Sequence, residues 1–97
     1  MIIRRSRRYT VKMADYESYS FGADVEMSTN DIGVSDDDML KMEDDEFQST
    51  KTNLTELVLE ELNNQLHDEI QDAITLTDNQ KSYLLKAFGI KPARKKG

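Results

Sequence analysis

The sequence predicts an α+β domain in which an N-terminal antiparallel β-hairpin packs on a C-terminal helix pair in the order ββαα, with an acidic loop between. Three observations predict it. Apolar residues occupy odd positions from Tyr9 to Met13 and again from Tyr19 to Met27; they recur every four residues from Leu54 to Ile74; and a run of acids separates the two patterns.

The first strand is read from Tyr9, Val11 and Met13, with Thr10 and Lys12 intervening. The second is cleaner, with Tyr19, Phe21, Ala23, Val25 and Met27 alternating with Ser18, Ser20, Gly22, Asp24 and Glu26. Ala14 to Glu17 is short enough for a hairpin loop, although it lacks the Asn-Gly or Asp-Gly pair of a tight primed turn. Two strands are marginal alone, so the odd-numbered face needs helices against it.

Residues 30–50 read as a loop with one helical turn, which Ser35 would cap and from which Met39, Leu40 and Met42 would reach the core, with Phe47 a second anchor. A long helix follows from Lys51. Leu54, Val58, Leu62, Leu66, Ile70 and Ile74 form its stripe, Leu57 and Ala73 widen it, and Asn53 and Glu56 have capping-box spacing. At 1.5 Å per residue its roughly 22 residues make a rod of about 33 Å. Thr77 and Gln80 repeat that spacing before a shorter helix bearing Leu84, Leu85, Ala87 and Phe88. Gly89, Ile90 and Pro92 end it. The domain plan is a basic arm at 1–8, one small domain at 9–90 and a basic flexible tail at 91–97.

Charge is segregated along the chain. Residues 13–80 hold all 19 acids and only Lys41 and Lys51, for −17, whereas residues 1–12 carry +5 and residues 81–97 carry +6, leaving a net charge of −6. Such segregation steers charged partners. Mean hydropathy of −0.71 with 37% hydrophobic residues lies near the polar edge of globular chains.

Several function classes find no support in the residues. Cysteine is absent, which excludes disulfides, thiolate metal sites and thiol nucleophiles. His67 is the only histidine and reads as a surface or boundary helix residue; a metal site or proton relay would need further ligands. No serine sits in a nucleophile elbow, and Gly22, Gly33, Gly89 and Gly97 are too far apart for a phosphate loop. Met1-Ile2-Ile3 is too short for the apolar region of a signal peptide, and no stretch approaches the ~20 apolar residues of a membrane span. The expectation is a cytoplasmic protein, not an enzyme, with no cofactor, no metal and no membrane partner.

Seven acids fall within residues 36–46, namely Asp36, Asp37, Asp38, Glu43, Asp44, Asp45 and Glu46, without the glycine and spacing of a calcium loop. The functional reading is a surface that imitates a run of phosphates, continued by Glu60 and Glu61, and occupies the basic site of a nucleic-acid-handling protein. The plain alternative is a solvated acidic loop. Arg4, Arg5, Arg7 and Arg8, with Lys91, Arg94, Lys95 and Lys96, admit a second reading as arms that hold nucleic acid, or that neutralise the acids of the same chain or of a second protomer in a homodimer or assembly. Tyr16, in the hairpin turn, is the aromatic candidate for a partner contact.

A basic start running into Tyr9-Thr10-Val11-Lys12, then Tyr16-Glu17-Ser18-Tyr19, an acidic middle and a terminal helix pair resembles the small accessory proteins of bacteriophages. That resemblance implies a host-takeover role in the host cytoplasm, in which the protein binds a host enzyme and blocks or redirects it.

Overall fold

The computed structural model describes residues 1–14 and 17–91. Its elements are β1 (Ile2–Ala14), β2 (Glu17–Ser28), a 3-10 turn (Thr29–Ile32), α1 (Asp36–Lys41), α2 (Asp44–Gln71) and α3 (Asp78–Ala87). The order is the ββαα arrangement of an α+β fold, with a short helix added before the pair. Tyr16, Arg94, Lys95 and Lys96 lie outside the described residues.

β1 and β2 pair antiparallel from Ile2 opposite Ser28 to Lys12 opposite Ser18, and the register shifts between Lys12 and Ala14. The odd-numbered face carries Ile3, Phe21 and Val25 into a core completed by Leu54, Val58, Leu62, Leu66 and Ile70 of α2, Leu84 of α3, and Ile90. Tyr9, Phe21 and Phe88 form an aromatic cluster with centroids 4.5 to 5.5 Å apart, and Tyr19 stacks on Phe21 at 5.7 Å. Such pairs add about 0.5–1.5 kcal/mol each beyond area burial. They tie the hairpin to the C-terminal end of α3.

The strand begins earlier than the alternation suggests. Arg5 and Arg7 interrupt the apolar odd positions of β1, yet they pair with Val25 and Ala23, so the register of β2 carries the ladder back to Ile2. α2 packs mainly on β2, which leaves Arg5 and Arg7 exposed. Arg4, Arg5, Arg7 and Arg8 therefore stand on an ordered strand, and residues 1–8 are not an arm preceding it.

The acidic segment is likewise not a loop. Ser28 and Asp31 form a capping box at the 3-10 turn, and Gly33 takes a left-handed φ of 79° after it. Ser35 then caps α1: its hydroxyl accepts from the Asp38 N–H, and the Asp38 carboxylate accepts from the Ser35 N–H. Met39 is buried, but Leu40 is 84% exposed, so of the expected anchors Met39 reaches the interior while Met42 and Phe47 are half-buried.

α2 starts at Asp44, and Asn53 and Glu56 are interior helix residues rather than a cap. Its N-cap, Glu43, makes no side-chain cap bond. Asp44, Asp45 and Glu46 in the first turn instead favour the positive end of the helix dipole. From Asp44 to Asn53 no side chain is buried. At the other end α2 stops at Gln71, whose carbonyl accepts from Lys81 Nζ at 2.6 Å. Ile74 thus falls in the link, 98% exposed. Thr77 and Gln80 do form the capping box of α3, and Gly89 takes φ 62° beyond it.

Candidate functional site

Helical geometry sets the acidic surface. Asp36, Asp37 and Asp38 occupy the first turn of α1, and Glu43, Asp44, Asp45 and Glu46 open α2; all seven are exposed. Two of them have local duties. Asp36 meets the Met1 terminal ammonium at 3.1 Å, and Asp38 belongs to the capping box. Among the described residues, Asp37, Glu43, Asp44, Asp45 and Glu46 form no ion pair. At 100° per residue Asp45, Glu56 and Glu60 lie within about 60° of one another, on the side of α2 away from Leu54, along about 22 Å. Glu60 is exposed, whereas Glu61 is half-buried on the helix flank. Leu40, on α1 after the three aspartates, is exposed.

The basic residues occupy a different element. On β1 the even-numbered face holds Arg4, Arg8 and Lys12, while Arg5 and Arg7 lie on the odd face. Arg4 is committed to Asp24, with Nε 2.9 Å from Oδ1 and Nη2 bonded to Oδ2. This hydrogen bond holds the Asp24 carboxyl below its ordinary range and raises the Arg4 guanidinium. Arg5 donates through Nη1 to the Arg4 carbonyl at 2.9 Å. Among the described residues, Arg5, Arg7, Arg8 and Lys91 form no ion pair. Gly22, opposite Arg8, leaves room for the arginine side chain: a Cβ there would stand 2.7 Å from Arg8 Cγ.

Two hollows lie at the helix ends. One of about 680 Å³ is lined by Met13, Glu17, Ser18, Tyr19, Thr75, Leu76 and Gln80 and offers a single carboxylate. The Tyr19 phenol is raised above its ordinary value by burial and, second, by Glu69. The other, about 390 Å³ and mostly apolar, runs between His67 and Leu85, Lys86, Gly89, Ile90 and Lys91. His67 is therefore a buried residue, 8% exposed, and not a surface one, with Nδ1 3.5 Å from Asp68 Oδ1. The four-residue stripe of α2 placed its Cα one step beside Leu66, and packing of the α3 end covers it. That cover is a tertiary effect without a local sequence signal.

In the first hollow Glu17 shares the lining with the hydroxyls of Ser18, Tyr19 and Thr75. Among the described residues no group of His, Asp and Glu is arranged to hold a metal ion, and no helix is long and apolar enough to cross a membrane. No protein-family model, curated protein or solved structure matches the chain.

Proposed function

We propose that this is a non-enzymatic interaction protein whose acidic helical surface docks on the basic site of a nucleic-acid-handling protein and blocks or modulates it. The observation that carries the reading is that, among the described residues, the strand arginines do not neutralise the helical acids. Arg4 is spent on Asp24, and among the described residues no arginine of β1 pairs with the acids of α1 or α2. Helix-dipole stabilisation accounts for acids in first turns, at about 0.3–1 kcal/mol each, but not for Glu56 and Glu60 in the middle of α2. Exposed like charges fixed on rigid helices lose little entropy when they meet a cationic groove. On this reading the protein acts in the cytoplasm, in keeping with the accessory role that the bacteriophage resemblance implies.

The test compares the protein with a variant carrying Asp37→Asn, Glu43→Gln, Asp45→Asn and Glu60→Gln, which keeps Asp36 and Asp38 in their structural contacts. Both are used as bait in bacterial lysate at low and moderate salt, after nuclease treatment. A nuclease-resistant protein that the parent captures, that salt releases, and that the variant fails to capture supports the reading. Equal capture by the two overturns it.

A further inference from the structure

The outer edge of β1 carries a feature that the acidic surface does not use. Thr29 donates its N–H to the Met1 carbonyl at 2.9 Å, which continues the ladder through an odd-numbered pair. Two contacts from outside the ladder agree: the Gly22 N–H donates to Glu69 at 3.3 Å, and the Arg4 carbonyl accepts from Arg5. In an antiparallel pair the two kinds of opposite residues alternate, so the even pairs are the non-hydrogen-bonded ones. Their N–H and C=O groups point outward, and on β1 those at Ser6, Arg8 and Thr10 form no backbone bond among the described residues.

The two edges of the ribbon are not equivalent. β2 has its central outward N–H, at Gly22, taken by Glu69 of α2. β1 has a regular register from Ile2 to Lys12, without proline, and among the described residues no strand other than β2 pairs with it. An edge of this kind is a template for a further strand. A second copy of β1 would bring its own Arg4, Arg5, Arg7, Arg8 and Lys12 to the same edge, and antiparallel registers centred on Arg7 or Arg8 set arginine directly against arginine. The chain's own acidic run is helical and cannot add as a strand. Arg7 and Arg8 lie on opposite faces of the edge, so an incoming strand meets positive charge on both of its faces.

We infer that the free edge of β1 is a docking site for an acidic, extended peptide segment of a partner protein, which pairs with Ser6, Arg8 and Thr10 as a third strand and sets its carboxylates beside Arg7, Arg8 and Lys12. Backbone pairing supplies affinity and the cationic flanks supply selectivity. A nucleic acid could accept from the outward N–H groups but offers no regular ladder of donors to the outward carbonyls, and it would find no aromatic platform on the even face.

The probe is a fluorescent twelve-residue peptide of alternating Glu and Thr, titrated against the full chain by anisotropy. Amide exchange is followed in parallel. The expected result is saturable binding that slows exchange at Ser6, Arg8 and Thr10. It weakens at least about tenfold when consecutive central peptide nitrogens are methylated, which blocks both edges of the peptide, because several hydrogen bonds go while the charge stays. It also weakens at least about tenfold in the Arg7→Glu/Arg8→Glu variant. Equal affinity for the methylated peptide overturns the inference in favour of charge alone. So does failure of the acidic peptide to bind, tighter binding of a twelve-nucleotide single-stranded DNA, or concentration-dependent protection of the same amides with no peptide present, which would assign the edge to a second copy. The methylated peptide leaves the protein unaltered, so the result stands even if the double variant misfolds.

Discussion

The Glu69 carboxylate accepts a hydrogen bond from the backbone N–H of Gly22 at 3.3 Å, joining the last turns of α2 to the edge of β2 across 47 residues of chain. The same carboxylate faces Tyr19 and is the second cause, after burial, of the raised phenol pKa.

This relationship gives a pH signature. A phenol whose folded-state pKa is raised contributes stability that is fully present below the unfolded value of about 10 and is lost as pH climbs through the folded value. Tyrosinate absorbance is expected to contain a component from Tyr19 that titrates above the ordinary value of about 10, and denaturation midpoints are expected to fall above about pH 10. Glu69→Gln keeps an acceptor for Gly22 and removes the charge, so the late titration moves back toward the ordinary value without reaching it, because burial remains the larger cause. A Tyr19 titration unchanged by Glu69→Gln would refute the assignment.

Leu62 and Ile74 share the four-residue stripe in the sequence but not its fate. Leu62 is 1% exposed and Ile74 98%. Leu62→Ala is expected to cost about 2–5 kcal/mol by chemical denaturation, the range for a buried leucine that leaves a cavity. Ile74→Ala is expected to stay within about 0.5 kcal/mol of the parent. A comparable loss from both would mean that α2 runs on past Gln71.

Those two residues mark where the sequence stops being legible. The odd-numbered apolar face of the hairpin, the α2 stripe from Leu54 to Ile70 and the cap and apolar side of α3 were readable because burial imposes a period on the residues themselves. The first turns of α2, Asp44 to Thr50, were not, since only Phe47 and Thr50 there are even half-buried and no apolar period results; once the helix exists, extending it needs little beyond a favourable dipole. The start of β1 was hidden for a similar reason: Arg5 and Arg7 sit on the nominal core face at a place α2 does not cover. The candidate acids and arginines were visible as charge, but whether they would pair with each other depended on tertiary placement.

The two capping-box spacings make an internal control. Thr77 caps α3 with its hydroxyl 3.2 Å from the Gln80 nitrogen. Thr77→Ala should cost about 1 kcal/mol. Asn53 has the same spacing to Glu56 but lies inside α2 and is exposed. Alanine is the better helix former there, so Asn53→Ala should be neutral or stabilising by a few tenths of a kcal/mol, up to about 0.7. Melting curves decide between this and a helix that begins at Asn53, in which case the asparagine variant would lose stability as well.

Gly22 faces two opposing effects when it gains a methyl group. Alanine in a strand normally gains about 0.5–1 kcal/mol over glycine from backbone entropy. Here the new Cβ would stand 2.7 Å from Arg8 Cγ and 2.8 Å from the Arg7 carbonyl oxygen. The arginine side chain can swing aside, but Arg7 pairs with Ala23 in the ladder and its carbonyl cannot move without the strand. Overpacking of this kind costs about 1–3 kcal/mol, so the steric term wins and Gly22→Ala is expected to destabilise. Adding Arg8→Ala should recover only the part due to the side chain. Full recovery in the double variant would show that Arg8, and not the backbone of β1, is what requires glycine at this position.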